Sequence, residues 1–237
     1  MRVLGIDSSA KAASAAVLEG DKLLGEYNLQ TGYTHSETLL PMVDRVLRDT
    51  GTRVDDLELI AVTRGPGSFT GLRIGLATVK GLCFARELPV AAVSTLEALA
   101  CNVADFGGLV CCAMDARCGQ VYQAFFRAQR GEIARVCEDR AVKIEQLEQE
   151  IKKADEPILL VGDGAHLCYN SIGRQNGIVL APAHLRLQRA ASVGILGQRM
   201  AARGDTVSSD RLVPEYLRLP QAERERLKKE QREESIP

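Results

Sequence analysis

The segment from Arg64 to Ala85 constrains this chain more than any other. A β-rich run, Leu59 to Thr63, enters a Gly65-Pro66-Gly67 turn, and apolar residues at helical spacing follow. The helical part carries Gly71, Gly75 and Gly81. Each glycine costs about 1 kcal/mol against alanine in a helix interior, so roughly 3 kcal/mol must be offset by packing. Gly71 and Gly75 lie four apart on one face, which Thr78 and Leu82 continue. Such a stripe lets another backbone come close. Two elements fit that role: a helix of a partner, or the chain's own sheet or first helix.

The remaining pattern is that of an α/β protein built from two units. Strands are expected at 2–6, 13–19 and 22–28, with a short turn at Glu19-Gly20-Asp21. Thr34-His35-Ser36-Glu37 has capping-box spacing and opens an amphipathic helix ending at Gly51, with a kink or late start expected at Pro41. A strand from Asp55 to Thr63, the glycine helix, a strand at 88–93 and a helix at 96–103 complete βββαβαβα. The pattern restarts with strands at 109–114, 119–127 and 132–138, a helix near 143–153 and a strand at 158–161. Gly162-Asp163-Gly164 opens another helix, a short strand lies at 179–181, and a final helix spans 190–203. Asp7 and Asp115 head equivalent turns after the first strand of each unit. Two βββαβα lobes around a cleft describe the actin-like (ASKHA, ribonuclease H-like) architecture. The expected division is 1–104, 105–217 and a charged tail, 218–237, whose stretch 221–234 has almost no apolar residues.

Composition narrows the function. A net charge of −1 provides no overall basic field for nucleic acid. The seven cysteines are odd in number and never spaced Cys-x-x-Cys, which fits free thiols in a reducing compartment. Neither a signal peptide nor an apolar run of membrane-spanning length is recognisable, so a soluble, cytoplasmic protein is expected.

Catalytic chemistry is sparse. Only His35, His166 and His184 occur, with no pair at metal-ligand spacing. His35 reads as a capping or interface residue, and Ser68 as the N-cap of the glycine helix. Asp7-Ser8-Ser9 has the form of a phosphate-cradling turn, and Gly162-Asp163-Gly164 is its counterpart in the second unit. A nucleotide or phosphate contact at Asp7, Ser8 and Ser9 is thus one reading, that of an actin-fold ATPase or kinase with nucleotide in the interlobe cleft. Asp7 and Asp115 would then face each other on the cleft floor. Turn stabilisation is the other reading.

Gly65-Pro66-Gly67-Ser68-Phe69-Thr70-Gly71-Leu72-Arg73-Ile74-Gly75, with Lys80-Gly81 behind it, resembles the TsaB (YeaZ) family. So do Ile6-Asp7-Ser8-Ser9, His35-Ser36-Glu37 with Leu39-Leu40-Pro41, Val93 to Leu99, Met114-Asp115-Ala116-Arg117, and Pro214 with Tyr216-Leu217. The resemblance covers residues 1–217. It implies a non-catalytic paralogue of the TsaD threonylcarbamoyltransferase, a dimerisation and activating subunit. The complex, with the ATPase TsaE, places threonylcarbamoyl on N6 of the anticodon-adjacent adenosine of tRNAs reading ANN codons (t6A). In TsaD the run matching Val93 to Leu99 is Val-Asn-His-Leu-Glu-Gly-His, whose histidines bind the metal. Thr95 and Leu99 stand in those places here, so neither a metal site nor peptidase activity is expected.

The resemblance further implies pairing with TsaD through first-lobe helices, at His35, Ser36, Leu39, Leu40, Val43, Gly71, Ile74, Gly75, Thr78 and Leu82. Homodimerisation through the same helices stays open for the isolated chain. Contact with tRNA is expected only indirectly. No cofactor is expected to bind tightly to this chain alone, with ATP or ADP a matter for the assembled complex.

Overall fold

Two sheets with the same strand order divide the chain. The computed structural model describes residues 1–84, 86–172 and 177–218. In the first half, β1 (Arg2–Asp7), β2 (Ala13–Glu19) and β3 (Lys22–Leu29) form an antiparallel meander. Then come α1 (His35–Asp49), β4 (Leu59–Gly65), α2 (Phe69–Cys83), β5 (Val90–Ser94) and α3 (Thr95–Cys101). The sheet order is β3-β2-β1-β4-β5. The parallel strands β1, β4 and β5 are covered on both faces, which accounts for their nearly unbroken apolar sequence.

The second half repeats this plan. It comprises β6 (Gly108–Asp115), β7 (Gln120–Gln129), β8 (Glu132–Arg135), β9 (Arg140–Lys143), α4 (Ile144–Ile151), β10 (Ile158–Val161), α5 (Ala165–Ile172) and β11 (Ile178–Leu180). The order β11-β10-β6-β7-β8 mirrors the first sheet. Arg130 and Gly131 both have positive φ, as a two-residue hairpin between twisted strands requires. The whole is the duplicated α/β arrangement of the actin-like fold. Two helices follow, α6 (Ala183–Arg186) and α7 (Ala190–Ala202).

The structure departs from the sequence-based expectations at four places. The strand expected at 132–138 is divided: β8 pairs with the outer part of β7 and β9 with its inner part. Between them Asp139 turns aside to accept the Ser94 hydroxyl at 2.6 Å and to pair with Arg135. Helix α1 begins at His35 and runs through Pro41. Its first turn is held by the Thr34 N–H donating to Glu37 Oε2 at 3.0 Å. The 3-10 turn Val54–Asp56 precedes β4, so that strand starts at Leu59 and not at Asp55.

The largest departure is α7. Expected within the second lobe, it lies on the first sheet, opposite α1 and α2. Val193 and Leu196 pack with Val3, Leu59, Ala61, Ala91 and Val93. Gly5 and Gly197 leave room for that contact: a Cβ on Gly5 would collide with the Ala190 carbonyl, and one on Gly197 with Ala61. Glu26 of β3 secures the start of α7, accepting from Ala191 N and from Arg189 Nε, each at 3.0 Å. A boundary at 104/105 therefore does not separate two self-contained halves. The charged stretch 221–234 lies outside the described residues.

Candidate functional site

The glycine stripe of α2 faces inward. Ser8, at the end of β1, donates its hydroxyl to the Gly71 carbonyl at 2.9 Å. A Cβ on Gly71 would collide with the Ser8 carbonyl, and one on Gly75 with the Ser8 hydroxyl. Ser68 N donates to the Ser9 carbonyl at 2.7 Å, where Gly67 also approaches too closely for a side chain. As the sequence indicated, Ser68 caps the helix, its hydroxyl accepting from Gly71 N at 3.3 Å. Gly71 and Gly75 are thus removed from the partner surface. The close approach they permit is between α2 and the β1–β2 turn of the same chain.

That seating also buries the first part of the turn at Asp7 and Ser8. Asp7 is 0 % exposed, and its Oδ1 accepts the Ser9 N–H at 3.0 Å and the Ser9 hydroxyl at 2.9 Å. Its Oδ2 is buried without a hydrogen-bond partner. Burial pushes the Asp7 carboxyl up to about 6, while the Ser9 donors, Thr63 and the charge of His35 pull the other way. Of Asp7, Ser8 and Ser9, only Ser9 lines the interlobe cleft. Helix α2 packs on the turn at Ser8, while Ser9, Ala10 and Lys11 face the cleft. Asp7 and Asp115 do not face each other across the cleft: Asp115 lines it, Asp7 does not. The neighbour of Asp115 is Asp163, whose Oδ1 accepts the Asp115 N–H at 3.3 Å. Burial raises the Asp163 carboxyl, the Asp115 N–H opposes this, and the Asp115 charge adds to the rise.

The remaining interface candidates divide by burial. Leu39 and Val43 belong to the first-lobe core with Leu4, Ile6 and Val62, so they support α1 from beneath and offer no surface. His35 is half-buried, its Nε2–H donating to the Ala10 carbonyl at 2.6 Å. Ile74, Thr78 and Leu82 are half-buried, and Ser36 and Leu40 are exposed. Leu40 is 56 % exposed, a large value for leucine in the middle of an amphipathic helix. On α2 the outward face carries Ala77, Lys80 and Gly81, and Phe84 follows at 92 % exposure. Unlike Gly71 and Gly75, Gly81 has nothing within 4 Å of where its Cβ would stand. The sequence reading missed Phe84 and Ala77. Their spacing from Gly81, one turn or less, was the available signal.

Thr95 and Leu99 are both fully buried, Leu99 within the second-lobe core. Neither side chain supplies the donor that a histidine would, and no group of three or more His, Cys, Asp or Glu among the described residues could hold a metal ion. His166 instead contacts Arg186. All seven cysteines are free; Cys83, Cys111, Cys112 and Cys168 are buried and Cys118 is exposed. Among the described residues no helix is long and apolar enough to cross a membrane.

Sequence and fold are similar to those of known proteins. The family model for TsaD, tRNA N6-adenosine threonylcarbamoyltransferase, matches residues 30–226. The chain is 34 % identical to the tRNA threonylcarbamoyladenosine biosynthesis protein TsaB of Bacillus subtilis, over 94 % of this chain and 96 % of that one. It is likewise 34 % identical to TsaB of Escherichia coli, over 92 % and 95 % of the two chains. The crystal structure of YeaZ from Pseudomonas aeruginosa superposes with a TM-score of 0.79 at 30 % identity, covering 91 % of this chain and 99 % of that one. With about a third of its residues shared over nine-tenths or more of each chain, and a superposable fold, the chain belongs to the TsaB (YeaZ) family.

Proposed function

We propose that this chain is a non-catalytic dimerisation and activating subunit in t6A biosynthesis, pairing with a TsaD-type transferase through the exposed face of α1 and α2. The observation that carries the reading is the exposure of Leu40 on α1 and of Ala77, Gly81 and Phe84 along and just after α2, with Ile74, Thr78 and Leu82 half-buried. Ala77 and Gly81 are small residues four apart, a spacing that lets a partner helix approach closely. Large apolar side chains flank them. Burying such a strip against a second helix pair would offset the glycine cost at Gly81, which nothing within the chain offsets.

The absence of ligating side chains at positions 95 and 99 supports a role other than transfer chemistry. The ATPase or kinase reading is favoured less, since Asp7 and Ser8 of its phosphate turn are buried and only Ser9 of the three reaches the cleft. Any contact with tRNA, or with a TsaE-type ATPase and its ATP or ADP, is assigned to the assembled complex. A homodimer of the isolated chain would use the same strip.

The test is to mix the chain with the TsaD of its own host and measure complex mass and t6A formation. Wild type should form the heterodimer, raise t6A synthesis by the transferase, and be inactive alone. Leu40→Asp and Gly81→Leu should each weaken the complex by about tenfold or more while remaining folded, since both sites face open space. Full binding by both variants would place the partner surface elsewhere.

A further inference from the structure

The last described segment, 213–218, crosses from one lobe to the other over the cleft. On the first lobe, Glu215 N donates to the Arg64 carbonyl at 2.7 Å, and the Glu215 carboxylate pairs with Arg64 at 3.0 Å. The Glu215 carbonyl lies where a Cβ on Gly65 would stand. Tyr216 stacks on Phe69 with ring centroids 4.7 Å apart and planes at 29°. Arg73, one turn along α2, donates from Nε to the Tyr216 hydroxyl at 3.0 Å and lies 3.9 Å over the Phe69 ring. On the second lobe, the Arg218 guanidinium donates to the carbonyls of Ala116 and Arg117 in the β6–β7 turn.

This crossing divides the interlobe space. On one side is a cavity of about 310 Å³ whose polar lining includes Lys11, Asp115, Arg117 and Asp163. On the other is a cavity of about 260 Å³ walled by Ser94, Arg135, Asp139 and Arg203. Glu215 lines both. We infer that residues 213–218 are a latch that fixes the angle between the lobes and keeps the cleft partitioned. Tyr216 is its first-lobe clasp and Arg218 its second-lobe clasp. The latch uses carbonyl acceptors on β4 and on the β6–β7 turn, so the lobes are joined by groups that a change of lobe angle must break. Release would merge the two cavities that meet at Glu215.

Hydrogen exchange on the full chain, read by mass spectrometry, tests the inference. In Tyr216→Ala, amides of 64–73 and 115–120 should exchange about tenfold faster, while those of Cys111–Met114 in β6 keep their protection. In Arg218→Ala, which removes only the second-lobe clasp, the acceleration should appear at 115–120 and leave 64–73 protected. Unchanged exchange at 115–120 in Arg218→Ala overturns the latch, whatever Tyr216→Ala does to overall stability. Equal acceleration of 115–120 and of β6 in Arg218→Ala also overturns it, since the segment would then be ordinary packing.

Discussion

Ser8 and Gly71 are joined by a hydroxyl-to-carbonyl hydrogen bond of 2.9 Å, and Gly75 completes the seat in which Ser8 lies. The glycines of α2 thus serve two different surfaces. Gly71 and Gly75 admit the β1–β2 turn of their own chain, and only Gly81 looks outward.

Substituting the inner glycines should damage the fold. Gly71→Ala places a methyl group against the Ser8 carbonyl, a rigid backbone atom, and should cost about 2–3 kcal/mol as an overpacked core site. Gly75→Leu should cost more and fail to give a cooperative unfolding transition. Urea unfolding of each variant, followed by circular dichroism, measures this. Native-like stability of Gly75→Leu would show that α2 is not seated as described.

The outer glycine should respond with the opposite sign. Gly81→Ala meets open space and gains helix propensity, so the isolated chain should be stabilised by up to about 1 kcal/mol. Thermal unfolding of the monomer reads this directly. A loss of stability would mean that Gly81 is packed within the chain after all.

Asp7 gives the chain a defined pH response. Burial lifts its folded-state pKa to about 6, above the ordinary 3.8. The folded state therefore holds a proton that the unfolded chain releases. This contribution is fully present below the ordinary carboxyl pKa and is lost as pH rises to about 6. The loss amounts to about 3 kcal/mol across that window. Asp7→Asn keeps an acceptor for the Ser9 donors and removes the titration. Its stability relative to wild type should therefore rise by about that amount between pH 4 and pH 7. Urea midpoints at both pH values test this, and a difference independent of pH would refute it.

Glu26 should prove the anchor of α7. Its carboxylate is nearly buried and holds both Arg189 and the Ala191 N–H. Glu26→Ala leaves a partly buried guanidinium and a helix N-terminus without their acceptor, at a cost of about 3 kcal/mol. Hydrogen exchange in Ala190–Ala202 should accelerate ahead of that in α4 and α5. Uniform acceleration throughout would remove the anchoring role.

Local signals carried far through this chain. The Thr34–Glu37 capping spacing marked the start of α1 and Ser68 marked the N-cap of α2, because each is settled within a few residues. The duplicated strand order was legible for the same reason, from apolar runs punctuated by turn residues. The residues expected at a partner surface divide by burial. Leu40, Ile74, Thr78 and Leu82 kept some exposure, whereas Leu39 and Val43 share the helical face that the first sheet covers.

Glycine spacing by itself determined that α2 must be approached closely along one side. What approaches that side was decided only in three dimensions. Gly71, Gly75 and Gly81 pay the same propensity cost in sequence, and burial against Ser8 separates the first two from the third. The position of α7 was likewise tertiary: its apolar face fits either sheet by periodicity, and Gly5 and Glu26, far away in the chain, together with its own Gly197, select the first. Periodicity specifies that a face is buried; complementary shape and charge from distant residues specify against what.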